Sequence, residues 1–148
     1  HCLGTLEGLG ELSAEDLCLA FETPWTFSTT EPALEFASEM ELTQQLEKHI
    51  LSFGNAESSR MRFLALSLFP DLPWNVETLA KGIARSPEDT WFRKAVMSSI
   101  PDSAPSILTS LLKNETFLSK NKEGSGETLE DFARLTANLG NIEALQHG

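Results

Sequence analysis

"RMRFLALSLFPDL", residues 60–72, is the most apolar stretch in a chain of 148 residues. Thirty-one positions later "WFRKAVMSSIPDS", residues 91–103, ends on the same proline–aspartate step. Placing Arg62 on Arg93 superimposes "RFLALSLFPD" on "RKAVMSSIPD", so that Ser67 meets Ser98, Pro70 meets Pro101 and Asp71 meets Asp102. Phe69 then falls on Ile100. The same helix-ending apolar position recurs at Leu9, Met40, Phe69, Ile100 and Leu139, at intervals of 31, 29, 31 and 39. Polar "SKNKEGSG" at 119–126 accounts for the stretched last interval. A period of about 30 residues made of two short helices is the signature of an α-solenoid. Residues 61–69 are apolar almost all round, which predicts a helix covered by neighbours on both sides.

The flanking sequence is helical in its periodicity. Val76, Leu79, Ala80, Ile83 and Ala84 follow the i, i+3, i+4, i+7, i+8 rule. Leu42, Leu46, His49, Ile50 and Phe53 trace such a stripe before the central stretch, and Phe92, Ala95, Val96, Ser99 and Ile100 trace one after it. No run alternates in polarity like a strand, and no Asn-Gly or Asp-Gly turn joins two such runs. Start signals are plentiful. "SAED" at 13–16 has capping-box spacing, and Asn75 can cap the helix that follows it. "SPED" at 86–89 predicts a helix with Ser86 as cap and Pro87 as first residue. Asp102 or Ser103 caps the helix running to Leu112, while Pro70, Pro101 and Gly140 are expected to stop the helices before them. The fold class that follows is all-α: a right-handed α-α superhelix (HEAT/ARM-like solenoid) of about five helix pairs, one domain over residues 1–148.

Composition narrows the partners. Eleven Lys and Arg against 22 Asp and Glu leave a net charge of −11, and the basic residues are scattered along the chain. Such a surface repels phosphate backbones and anionic lipid, which excludes nucleic acid as an expected partner. No apolar run is long enough to span a bilayer, so direct membrane insertion is not expected either. Cys2 and Cys18 form no CxxC and no haem or zinc spacing; they read as small buried residues on neighbouring helices, with a disulfide between them as the alternative. The chain begins at His1 without an initiator methionine, which reads as a fragment of a larger multidomain protein.

The repeat units resemble HEAT repeats, in which a polar turn leads into an apolar–Arg pair opening the second helix. "SSRMRFLALSL" (58–68) and "EDTWFRKAVMSSI" (88–100) carry that pair as Met61-Arg62 and Phe92-Arg93. Together with "HCLGTLEGLGELS" at the start and "TWFRKAVMSSIPDSAPSILTSLL" at 90–112, they look like the helical-repeat segment of bacterial membrane-bound dehydrogenase-like proteins. The resemblance spans roughly residues 1–140. "TPWTFSTTEPALEFASEME" at 23–41 departs from the pattern because it lacks the apolar–Arg pair. In that family the segment lies between a sugar-dehydrogenase-like β-propeller and a c-type cytochrome domain. The resemblance implies an exported, periplasmic or cell-envelope parent, with the redox chemistry outside this segment.

Residues that carry chemistry are weighed against packing. Arg62 and Arg93 are expected to bond turn oxygens, with Glu57, Glu88, Asp89 or Asp102 as partners, because a guanidinium fork satisfies several acceptors at once. His1, His49 and His147 have no metal-ligand spacing, and His49 reads as a satisfied, partly buried residue beside Glu47. Glu35 with Glu39, and Glu127 with Glu130 and Asp131, share helix faces and read as solvated carboxylates. Equivalent Ser67 and Ser98 speak for helix packing. Trp25, Phe27, Trp74 and Trp91 sit in or beside turns; they seal helix pairs or form the interaction surface. No catalytic, cofactor or metal residue is assigned. The expected function is a non-catalytic scaffold that binds protein or orients neighbouring domains of its own chain. The alternatives are a HEAT-like enzyme of the DNA glycosylase or bilin lyase type, and an acidic surface that binds a ligand or metal.

Overall fold

A computed structural model describes residues 12–22, 27–119 and 122–146. They form nine α-helices and, among the described residues, no strand. The helices are α1 (Ala14–Glu22), α2 (Phe27–Ser38), α3 (Gln44–Ser52), α4 (Ser59–Leu68), α5 (Val76–Arg85), α6 (Thr90–Ser99), α7 (Ala104–Leu112), α8 (Glu115–Ser119) and α9 (Ser125–Gln146). Two 3-10 turns, Phe53–Asn55 and Pro101–Ser103, follow α3 and α6. The protein is all-α.

Short polar side chains start most of these helices by taking an otherwise orphaned backbone N–H. Thr43 accepts from Leu46 N at 3.2 Å, Ser58 from Met61 N at 3.3 Å and Asn75 from Thr78 N at 3.0 Å. Asp89 accepts from Phe92 N at 3.2 Å, and Asn114, first residue of the Asn-Glu-Thr sequon, from Phe117 N at 2.9 Å. At α1 the capping box closes in both directions: Ser13 N donates to Asp16 Oδ2 at 2.9 Å, and Asp16 N donates to Ser13 Oγ at 3.3 Å.

Three expected boundaries move. Asp89, not Ser86, caps α6, and Pro87 stays in the turn before it. The reason is that the buried Pro87 carbonyl is claimed from the side by Arg93 and Thr128. Ser103 precedes α7 without a side-chain cap, the Pro101–Ser103 turn leading in instead. Gly140 does not stop a helix, and Leu139 does not end one: α9 runs 22 residues through both. An interior glycine costs only about 1 kcal/mol, and no proline follows to break the helix. Phe69 and Ile100 do cap their helices, and Met40 lies just past α2. Leu9 lies outside the described residues.

Helices two apart in the chain pack side by side. On one side α2 packs on α4 and α4 on α6; on the other α5 packs on α7 and α7 on α9. The Phe53–Asn55 turn lies against α3, α4 and α5, and α9 also reaches α6. One apolar cluster runs through these contacts, from Leu17 and Leu34 through Leu46, Leu66, Leu79 and Phe92 to Ile107 and Phe132. The central helix α4 is not covered all round, as its composition predicted. Met61, Arg62, Ala65 and Leu66 are buried, but Phe63 is 37% exposed and Ser67 is exposed. Ser98 is not buried either, so the equivalent serines mark an outer face and do not pack in the core.

Candidate functional site: arginine turns and a cationic cleft

Among the described residues, the two most buried large polar side chains are the two aligned arginines. Arg62 is wholly buried and Arg93 is 1% exposed. Each reaches back to the carbonyl six residues earlier: Arg62 Nη1 donates to Ala56 O at 2.7 Å, and Arg93 Nη1 to Pro87 O at 2.8 Å. Each also crosses to the next helical unit. Arg62 Nη2 lies 3.5 Å from Asp89 Oδ2, and its guanidinium carbon sits 5.3 Å from the Phe92 ring centre. Glu57 O and Ser59 Oγ complete its acceptors at 3.2 and 3.1 Å. Arg93 Nε donates to Asp131 Oδ2 at 2.9 Å and its Nη1 to Thr128 Oγ1 at 2.9 Å. Glu127 Oε1 is 3.1 Å from Nη2 but off the N–H axis, an ion pair without an aligned hydrogen bond. Burial pulls the Arg62 guanidinium below its ordinary range, while the Asp89 charge and hydrogen bond push it back.

Asp89 and the Glu57 carbonyl are therefore turn partners as the sequence led one to expect, but Glu88 and Asp102 make no such contact. Arg93's carboxylates come from α9, beyond two intervening helices. Glu127 and Asp131 thus do not form a purely solvated face with Glu130, which pairs with Arg134 instead. Gly124 makes this junction possible. It holds φ +83°, and a β-carbon there would stand 2.6 Å from Pro87 O.

The aromatic residues divide. Trp74 is 8% exposed and its Nε1 donates to Phe69 O at 2.9 Å, so it seals the end of α4 and does not belong to an exposed surface. Trp91 is 74% exposed and is the second residue of α6, beside the turn that precedes that helix. Trp25 and the side chain of Phe27 lie outside the described residues, as do His1, Cys2 and His147. His49 is partly buried, and its partner is Glu22 at 3.2 Å rather than Glu47. Cys18 is a buried free thiol whose proton burial holds on, with Glu22 and Glu15 adding to the effect. Among the described residues no group of three or more His, Cys, Asp or Glu is placed to hold a metal ion. No helix among them is long and apolar enough to cross a membrane.

One site escaped the sequence reading. A cleft of about 280 Å³ opens where α5, the Phe53–Asn55 turn, α8 and the loop before α9 meet. Lys81 and Arg85 line it from α5 and Lys122 from the loop, with Asn55, Asn114 and Thr116 between them and Ala84 and Phe117 as apolar wall. No carboxylate is part of the lining. The basic residues that look scattered along the chain are partly gathered here by the fold. No sequence signal marks this, because positions 55, 81–85, 114–117 and 122 meet only through packing.

No family model, curated protein or solved structure matches the chain.

Proposed function

We propose that this chain is a HEAT-like α-α superhelix of about five helix pairs that works as an interaction scaffold, holding a partner protein or neighbouring domains of its own chain. The observation that carries the proposal is the repeated arginine unit. Arg62 and Arg93 hold equivalent places in successive units, each bonds the carbonyl six residues back, and each bonds an acid from the next unit. Ser58 and Asp89, equivalent in the same alignment, cap the helices that carry them. Units joined in this way stack into an extended surface, and such surfaces serve binding. Trp91 is the most exposed aromatic side chain among the described residues and is the one this surface would offer to a partner.

The narrower form of the proposal follows the family resemblance: an element that orients a propeller dehydrogenase-like domain relative to a cytochrome domain in an exported protein. Its first requirement is a Cys-x-x-Cys-His haem motif downstream in the parent gene. Titration calorimetry of this chain against the separately produced propeller and cytochrome domains then tests the role. Binding at about 10 μM or tighter, weakened about tenfold by Trp91→Glu, is the expected result. Absence of heat with either domain refutes the orienting role.

A further inference from the structure

We infer that the cleft between α5, α8 and the loop before α9 binds a small phosphomonoester. The first reason is charge. In a chain of net charge −11, three cations converge on a cleft lined by no carboxylate. Arg60, Arg62, Arg93 and Arg134 each hold a carboxylate. Arg85 is the one arginine among the described residues without one: its Nη2 donates to the neutral amide oxygen of Asn55 at 3.3 Å. That single bond steadies the guanidinium and leaves most of its donors free.

The second reason is that the arrangement is repulsive as it stands. Lys81 and Arg85 are one helical turn apart on α5, a spacing at which like charges destabilise a helix. Lys122 adds a third positive charge, tied in by its Nζ donating to Arg85 O at 3.1 Å. The negative end of the α5 dipole accounts for one or two of these cations. It does not account for neutral donors beside them. The Asn114 side-chain oxygen is occupied by Phe117 N, so its amide nitrogen is the group left to donate, and Thr116 adds a hydroxyl. An arginine fork, two ammonium groups and neutral donors suit a dianionic phosphoryl group. Ala84 and Phe117 give a small apolar substituent a wall, and the cleft of about 280 Å³ is of a size to seat one such group.

Phenyl phosphate, inorganic phosphate and benzoate are the probes, followed by backbone-amide NMR at low ionic strength above the second phosphate pKa of about 6. Phenyl phosphate is expected to saturate with a Kd of about 1 mM or tighter and to shift the amides of Asn114, Thr116 and Phe117. Arg85→Gln and Lys122→Gln should each weaken it about tenfold, equivalent to about 1.4 kcal/mol. Lys94→Gln, an exposed charge on α6 outside the cleft, should leave it unchanged. Circular dichroism checks the fold of Arg85→Gln, and Lys122→Gln carries the test if that variant unfolds. Three results overturn the inference: no saturation, an equal loss in Lys94→Gln, or benzoate binding as tightly as phenyl phosphate.

Discussion

Gly82 sets two physical effects against each other, and their magnitudes decide the sign of Gly82→Ala. Within a helix, alanine is favoured over glycine by about 1 kcal/mol, so propensity alone predicts a gain. At Gly82, however, the added β-carbon would stand 2.3 Å from the backbone oxygen of Gly54. That is roughly 1 Å inside an ordinary carbon–oxygen contact of about 3.3 Å. Arg62 Cδ and a Phe92 ring carbon, both at 3.1 Å, close the other exits. The obstructing turn cannot drift away freely. Ala56 O, at its end, accepts from Arg62 Nη1 at 2.7 Å, and Asn55 Oδ1 accepts from Arg85 at 3.3 Å. Overpacking of this kind costs about 1–3 kcal/mol, and loosening a charge-assisted bond adds about 1 more. The net loss is therefore about 1–3 kcal/mol, or a fall in Tm of about 2–12 °C for a chain of this size. Gly140→Ala is the control. It lies inside α9 with nothing within 4 Å of the added carbon, and should raise Tm by about 1–4 °C through propensity alone. Thermal and urea melts followed by far-UV circular dichroism measure both. A Gly82→Ala protein as stable as wild type, or more so, would refute the close packing of α5 on the Phe53–Asn55 turn.

Other changes test the remaining contacts. Arg62→Met should destabilise by about 3 kcal/mol in urea melts, since it strips a charged donor from the part-buried Ala56 and Glu57 carbonyls and leaves Asp89 without its counter-charge. Arg62→Lys should not restore this, because one ammonium cannot span the same acceptors. Trp74→Phe removes one of the two donors to Phe69 O, which keeps Leu72 N, and should cost about 1 kcal/mol, whereas Trp91→Ala should change stability by less than about 0.5 kcal/mol. The Asp16 carboxylate is held below the ordinary aspartate range by its hydrogen bonds from the Ser13 hydroxyl and backbone N–H. Its support of α1 is thus complete above the unfolded value of about 3.9 and is lost as pH falls through the lower folded value. NMR titration should find that depressed value and, in Ser13→Ala, a value closer to the ordinary one.

The helical class, the caps at Ser13 and Asn75 and the equivalence of Arg62 and Arg93 were legible in the sequence, because each depends on residue order over short stretches. Ser13 with Asp16, Asn75, Pro70 and the paired arginines state their roles in their spacing. Three features were decided by the tertiary structure alone. The turn at Pro87 holds the helix start back to Asp89 because Arg93 and Thr128 take its carbonyl from the side. Asp131, rather than a nearer acid, neutralises Arg93, because α9 lies against α6 and the left-handed Gly124 lets the chain approach Pro87. The cationic cleft exists only once positions 55, 85 and 122 share a wall. Local capping and periodicity are short-range and leave marks in the order of residues. Burial of a charge and the meeting of distant cations depend on which surfaces pack, and that information is spread over the whole chain.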